Sequence, residues 1–194
     1  MGTVTAADPH TSFLADKDAK VFVAGHRGLV GSAVVRRLLS LGFTSVVVRT
    51  HAELDLTRQA DVEAFFAAER PRYVVLAAAK VGGIHANSTF PADFIAANLA
   101  DAVIFLMDQY SGLEHVNVGS GSEVAIKELA ELVKEVVGFQ GKLVWDSSKP
   151  DGTPRKLMDS SKIQGMGWKP KIALKEGLVE TYKWYVENVV SGKK

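Results

Sequence analysis

The chain has 194 residues, 47% apolar, 23% charged and 8% aromatic, with 23 basic residues against 22 acidic for a net charge of +1. That length suffices for one ordinary domain able to bury roughly 70% of its unfolded surface, and the composition excludes collagenous, disulfide-stapled and grossly disordered classes. Near-neutral charge without a basic tract argues against a nucleic-acid partner, because such affinity rests on Lys and Arg displacing counterions.

Residues Met1 to Asp18 mix Thr, Asp, Pro, His and Ser without periodicity, which predicts a mobile, dispensable tail. Structure is expected from about Lys20. Val21 to Ala24 is a short apolar run flowing into Gly25, and from Leu29 to Leu41 the apolar residues fall at helical spacing until Gly42; the pattern is strand, tight turn, helix. Ser45 to Arg49 reads as a second strand and Glu53 to Leu56 as a short third. Thr57 to Arg70 reads as a helix with Val62, Phe65 and Phe66 inward, stopped by Pro71, and Tyr73 to Ala79 as another buried strand. Strands without polar alternation, separated by helices, are what a covered parallel sheet produces.

Pro91 to Tyr110 reads as one long helix with Phe94, Ile95, Leu99, Val103 and Leu106 on a stripe. A strand over Glu114 to Val118 is expected next. Beyond the polar turn Gly119 to Ser122 lies an amphipathic helix with Ile126, Leu129, Leu132, Val133, Val136 and Val137 on one side, ended by Gly138. Leu143 to Trp145 is a further short strand, Lys149 to Lys156 an irregular loop, and Leu174 to Val190 a terminal helix.

The absence of cysteine excludes disulfides and thiolate zinc sites. The longest apolar run, Tyr73 to Ala79, is too short to cross a bilayer, and the N-terminus lacks the basic and apolar regions of a signal peptide. The expected address is soluble and cytoplasmic, without a membrane partner. The five histidines, His10, His26, His51, His85 and His115, show no metal-ligand spacing.

Gly25, Gly28 and Gly31 form G-H-R-G-L-V-G directly between a strand and a helix. Glycine allows the tight turn, close approach of the backbone to a pyrophosphate, and packing of helix on sheet, while the helix N-terminus offers N–H groups and a positive dipole to phosphates. The spacing is one residue longer than the common G-x-G-x-x-G. At the end of the second strand, where a fold selecting the unphosphorylated dinucleotide carries Asp or Glu, this chain has Arg49. Arginine there suits a 2′-phosphate, and Arg27 in the glycine turn adds a second cation, so the expected cofactor is NADP(H). A solvent-facing cap on the sheet edge is the other reading of Arg49.

Lys80-Val-Gly-Gly follows the Tyr73 strand at its carboxyl end, where open parallel sheets place ligands; it reads equally as a bare turn. Lys149-Pro-Asp-Gly-Thr-Pro-Arg-Lys packs three cations, one carboxylate and two prolines into a loop fit to grip an anionic substrate such as a nucleotide diphosphate, or simply solvated.

From about Lys20 to Asn98, and again from about Asp101 to Val190, the chain resembles the plant-type GDP-L-fucose synthase family, extended short-chain dehydrogenase/reductases. The resemblance is carried by GHRGLVGSAVVRRL, VVRTHAELDLT, AAAKVGG, NVGSGSE and KPDGTPRKLMD, with a terminal GW and WY. It implies a Rossmann-type fold and NADPH-dependent epimerisation and reduction of GDP-4-keto-6-deoxy-D-mannose to GDP-L-fucose by a homodimer. It further implies cofactor contacts from Gly25, His26, Arg27, Gly28, Leu29, Val30 and Gly31 and from Arg49, Thr50, His51, Ala52, Glu53 and Leu54, and substrate contacts from Lys149, Asp151 and Lys156.

The family carries a long segment between the sequence around Asn98 and that beginning at Asp101, and here the two are joined directly. By the resemblance, that segment holds the reductase Ser and Tyr-x-x-x-Lys and the Cys and His of epimerisation. The four tyrosines, Tyr73, Tyr110, Tyr182 and Tyr185, are followed four residues on by Ala77, Glu114, Val186 and Val189, so no Tyr-x-x-x-Lys exists. No catalytic residue is assigned. Hydride delivery to a ketone needs a proton donor at its oxygen, and general acid catalysis is worth about 10² to 10⁴-fold, so little or no activity is expected.

The expected fold is α/β: an incomplete Rossmann-type parallel sheet with helices on both faces, plus a small α/β remnant of the substrate domain. The expected boundaries are a tail over 1–18, the first half of the NADP-binding domain over 19–99, and the remnant over 100–194. The Tyr73 strand, deprived of a neighbour, becomes an apolar edge. The alternatives are a noncatalytic NADP(H)-binding or dimer-modulating module pairing with a full-length relative, and a splice or gene-model product without a stable fold.

Overall fold

The computed structural model describes residues 12–78, 93–146, 148, 155 and 157–191. They fall into two compact units, one holding residues up to 78 together with 103–112, the other residues 93–102 together with those from 113 onward.

The first unit is built on β1 (Val21–Ala24), a four-residue apolar run buried along its whole length. Burial of successive residues means that both faces of the strand are covered. β1 is the centre of a three-stranded sheet, with β2 (Val46–Val47) on one side and β3 (Tyr73–Leu76) on the other. Both pairings are parallel, Val21 beside Val46 and Tyr73, Phe22 beside Val47 and Val74. The strands alternate with α1 (Leu29–Ser40) and α2 (Gln59–Glu69). This is the α/β, Rossmann-type half sheet that the alternation of strand and helix runs predicts.

α1 buries Gly31, Ala33, Val34 and Leu38 and packs along β1 and β2. Its end is closed by a Schellman motif: Gly42 at φ 85 donates to Leu39 O and the N–H of buried Phe43 donates to Leu38 O. α2 stops differently. Pro71 disfavours the right-handed helical region for the residue before it, and Arg70 takes the left-handed conformation at φ 45. Of the three α2 residues expected inward, Val62 and Phe65 are half-buried and Phe66 is exposed; Phe65 still packs against Phe22, the rings tilted by 52° with 4.6 Å between their centres.

The ordered chain begins before Lys20. A 3₁₀ turn over Phe13–Ala15 buries Phe13, whose ring lies 4.7 Å from both Phe43 and Tyr73. Asp108, near the end of α3 (Asp93–Gln109), accepts from Ser12 Oγ and from Leu14 N–H. Residues 12–18 were expected to belong to a mobile tail; an aromatic ring in a sequence-poor stretch docks them instead. Residues 1–11 lie outside those described.

The expected strand over Ser45 to Arg49 pairs only at Val46–Val47. Glu53 to Leu56 forms a turn because its carboxylates bond to local backbone: Glu53 Oε2 accepts from Thr50 N–H, and Asp55 Oδ1 from Thr57 N–H. Among the described residues no strand pairs with the far side of β3, which is the expected apolar edge. It leaves Val74 47% and Leu76 71% exposed, on the face shared with Phe22 and Ala24.

In the second unit, α3 buries Ala96, Ala100 and Ala102. The buried line of the helix runs through Ala96, Ala100 and Ile104, whereas Leu99, Val103 and Leu106 of the expected stripe are half-buried; alanines let neighbouring backbone come close. The side chains of Phe94 and Ile95 lie outside the described residues. Two residues one turn apart on α3 grip a single downstream segment. Asn98 Oδ1 accepts from Lys171 and Ile172 N–H and Nδ2 donates to Ile172 O, while Asp101 takes Trp168 Nε1 and Lys171 Nζ.

α4 (Ile126–Val137) closes at Gly138 with the same C-terminal pattern as α1. Its apolar side is only partly covered, with Ile126 72% exposed. α5 (Ser161–Gly165), not expected from the sequence, buries Ile163. α6 (Leu174–Tyr185) packs on α4, Lys175 Nζ meeting Glu135 at 2.6 Å, and continues as a π turn over Val186–Val190. The strands expected over Glu114 to Val118 and Leu143 to Trp145 are not formed. An apolar run becomes a strand only with a partner alongside.

Candidate functional site

The glycine turn at the carboxyl end of β1 is packed backbone on backbone. Gly25 has φ 81, and a Cβ there would stand 2.7 Å from the Ala77 carbonyl carbon just beyond β3. A Cβ on Gly31 would meet the Gly25 carbonyl carbon at 2.6 Å. These positions therefore admit only glycine without displacement of backbone. Gly28 N–H donates to Gly25 O at 2.9 Å, and Gly28 becomes the N-cap of α1, which has no side-chain cap and no acidic residue in its first turn. The helix thus presents its positive end where the turn leaves room for an anion.

That end opens on a cleft of about 510 Å³ lined by Phe22, Ala24, Gly25 to Gly28, Arg49 to His51, Leu54 to Thr57, and Ala78. Of the residues singled out from the sequence, Gly25, His26, Arg27, Gly28, Arg49, Thr50, His51 and Leu54 come together on its wall. Leu29, Val30 and Gly31 form the first turn of α1 behind it, and Ala52 and Glu53 are exposed in the loop after β2. The floor is apolar: Phe22, Ala24 and Leu54 make one buried cluster with Val47 and Phe65 against it.

Arg49 is held from three sides. Its Nη2 pairs with Glu69 at the end of α2, Nη1 donates to Val48 O at 2.8 Å, and the guanidinium lies 5.5 Å from the Phe65 ring centre. Glu69 also takes Lys20 Nζ at 3.0 Å. The hydrogen bond from Lys20, then the charges of Lys20 and Arg49, hold the Glu69 carboxyl below the ordinary glutamate value. Glu53 is held low chiefly by the Thr50 N–H, with Arg49 and Arg27 adding their charge, and Asp55 by the Thr57 N–H. All three are ionised at neutral pH, Glu53 beside both Arg27 and Arg49, Glu69 beside Arg49 and Lys20, and Asp55 beside His51 and Arg58.

Sequence reading missed Glu69, Asp55 and Thr57. A carboxylate in the last turn of a helix opposes the dipole and calls for a cationic partner, which was the available signal for Glu69; Asp-x-Thr is the signature of a local side-chain turn. Lys149, Asp151 and Lys156, and Lys80-Val-Gly-Gly, lie outside the described residues. Among the described residues no cluster of His, Asp and Glu is arranged to hold a metal, no helix is long and apolar enough to cross a membrane, and no tyrosine lines the cleft.

Residues 21–126 match the NAD dependent epimerase/dehydratase family. A probable GDP-L-fucose synthase 1 of Oryza sativa subsp. japonica is 54% identical over 328 residues, covering all of both chains, and GDP-L-fucose synthase 1 of Arabidopsis thaliana is 41% identical over 311 residues, 92% of this chain and 96% of the relative. An alignment of 328 residues that spans the whole of a 194-residue chain leaves a large internal block of the rice protein opposite nothing, in agreement with the segment missing between about Asn98 and Asp101. Two solved structures share the fold: the Campylobacter jejuni GDP-mannoheptose C4 reductase MlghC with NADP bound, at TM-score 0.73 and 24% identity over 87% of this chain and 98% of that one, and a Naegleria fowleri GDP-L-fucose synthetase bound to NADP, at TM-score 0.71 and 14% identity over 91% and 97%. By sequence and by fold, the chain belongs to the NAD dependent epimerase/dehydratase family.

Proposed function

We propose that the chain is a GDP-L-fucose synthase homologue that keeps an NADP(H)-binding cleft and converts GDP-4-keto-6-deoxy-D-mannose to GDP-L-fucose with little or no turnover. The observation that carries this reading is the cleft itself, with the glycine cradle and the start of α1 at one end and Arg27 and Arg49 on its wall. In it, the backbone of Gly25 to Gly28 and the first turn of α1 hold the pyrophosphate. Arg49, with Arg27, faces the 2′-phosphate, and the Phe22, Ala24 and Leu54 floor excludes water. When bound, the nicotinamide is a hydride donor.

The chain has no Tyr-x-x-x-Lys to protonate the ketone oxygen and no cysteine to protonate a sugar carbon. Loss of general acid and base groups lowers rate by about 10² to 10⁴-fold for each step they serve. Lys149, Asp151 and Lys156 are the side chains proposed to meet the GDP-sugar. In this reading the protein is cytoplasmic and forms a homodimer.

The experiment is calorimetric titration with NADPH followed by incubation with NADPH and the keto sugar nucleotide. Saturable NADPH binding, with turnover at least about 10²-fold below a full-length relative, is expected; turnover equal to that relative overturns the predicted inactivity, and absence of binding overturns the cofactor reading.

The exposed apolar pair Val74 and Leu76 on edge strand β3 favours a second reading, a noncatalytic NADP(H)-binding module that pairs with a full-length relative. Co-purification of differently tagged short and full-length chains is its test, and failure to co-purify removes it.

A further inference from the structure

The proposed cofactor contact Arg49 is already engaged. Phe65 and Glu69 lie one turn apart on α2 and both reach it, Phe65 beneath the guanidinium and Glu69 at its Nη2. A guanidinium has five N–H groups, and the bonds to Glu69 and Val48 O account for two of them. The side chains of Arg49 and Glu69 are 34% and 24% exposed, so their pairing is shielded from solvent more than a surface pair would be. Lys20 bonds to the other carboxylate oxygen of Glu69 at 3.0 Å and draws part of its charge away from Arg49.

Resting on the reading of Arg49 as the 2′-phosphate contact, we propose that Glu69 sets how strongly the cleft discriminates between phosphorylated and unphosphorylated dinucleotides, by competing with the 2′-phosphate for Arg49. A phosphate monoester carries nearly two negative charges at neutral pH. Brought to Arg49, it meets a cation partly neutralised by Glu69 and is repelled by the same carboxylate. A dinucleotide with a bare 2′-hydroxyl suffers neither effect. Glu69 therefore weakens NADP(H) binding and leaves NAD(H) binding unchanged, and Lys20 opposes it by holding the carboxylate's second oxygen.

The test is calorimetric titration of the 194-residue chain with NADPH and with NADH, in the unaltered protein and in E69Q, K20Q and R49Q, with the unfolding midpoint of each variant measured alongside. Glutamine at 69 keeps the side-chain shape and removes the charge, and its single carbonyl oxygen leaves an acceptor for one of the two cations while the other meets the amide N–H₂. E69Q is expected to bind NADPH on the order of tenfold tighter, the effect of one charge beside a dianion under water-like screening, with NADH affinity unchanged and the gain shrinking as salt rises toward about 0.5 M. K20Q moves NADPH affinity the opposite way. Unchanged or weaker NADPH binding by a folded E69Q overturns the competition. R49Q separates the two levels of inference. If it abolishes the preference for NADPH while E69Q has no effect, only the role of Glu69 falls; if it leaves the NADPH to NADH ratio untouched, the reading of Arg49 falls as well.

Discussion

Around β1 the chain fills space with large side chains, Phe13, Phe22, Leu38, Val21, Val23 and Val34 all being fully buried. The second unit instead sinks three alanines of α3 with Ile163 and Trp168, and α4 buries no residue. What the second unit has in place of bulk is a set of polar bonds from Asn98 and Asp101 to residues 168–172. Apolar burial scales with area and tolerates small displacements, whereas such bonds depend on position. The cleft therefore stands on packing and the second unit on registration.

Truncating the centre of the packed region should have the largest effect. Phe22 touches Phe65, belongs to the buried cluster and lines the cleft. Phe22→Ala should cost about 3–5 kcal/mol, read as an early urea midpoint together with loss of NADPH binding; a smaller shift with binding retained would mean that the apolar core does not support the cleft. Asn98→Ala sharpens the contrast from the other side. It removes bonds to Lys171 and Ile172 and should cost about 1–3 kcal/mol, visible as faster amide exchange at those two residues, with NADPH affinity unchanged. The smallest effect is a gain. Arg70 is the described non-glycine residue with positive φ, and Arg70→Gly should stabilise the first unit by about 1 kcal/mol, measured as a raised melting temperature.

The sequence made some of this legible because the determinants are local. The glycine turn is specified by three residues within seven, and Gly42 and Gly138 stop α1 and α4 where the apolar periodicity ends. β3 as an exposed edge follows from counting strands. The pairing of Arg49 with Glu69 was not legible, since it spans twenty residues and joins a strand end to a helix end. The docking of Phe13 on Phe43 and Tyr73 likewise joins three separate segments. Val116 and Val144 sit in runs with the composition of strands, yet composition does not supply a neighbouring strand, and both runs stay irregular. The loop after β2 was misread because the side chains of Glu53 and Asp55 compete for the backbone.

Asn98 and Asp101 hold their shared segment because they stand three positions apart and the helix brings both round to one side. Each residue inserted into or removed from that interval would rotate one of them by about 100° relative to the other. A join at this place, as the resemblance implies, has to preserve angular phase as well as reading frame, and α3 runs unbroken through it. The irregular segment at residues 139–145 has no helical phase to keep, so a change of length there carries no such penalty.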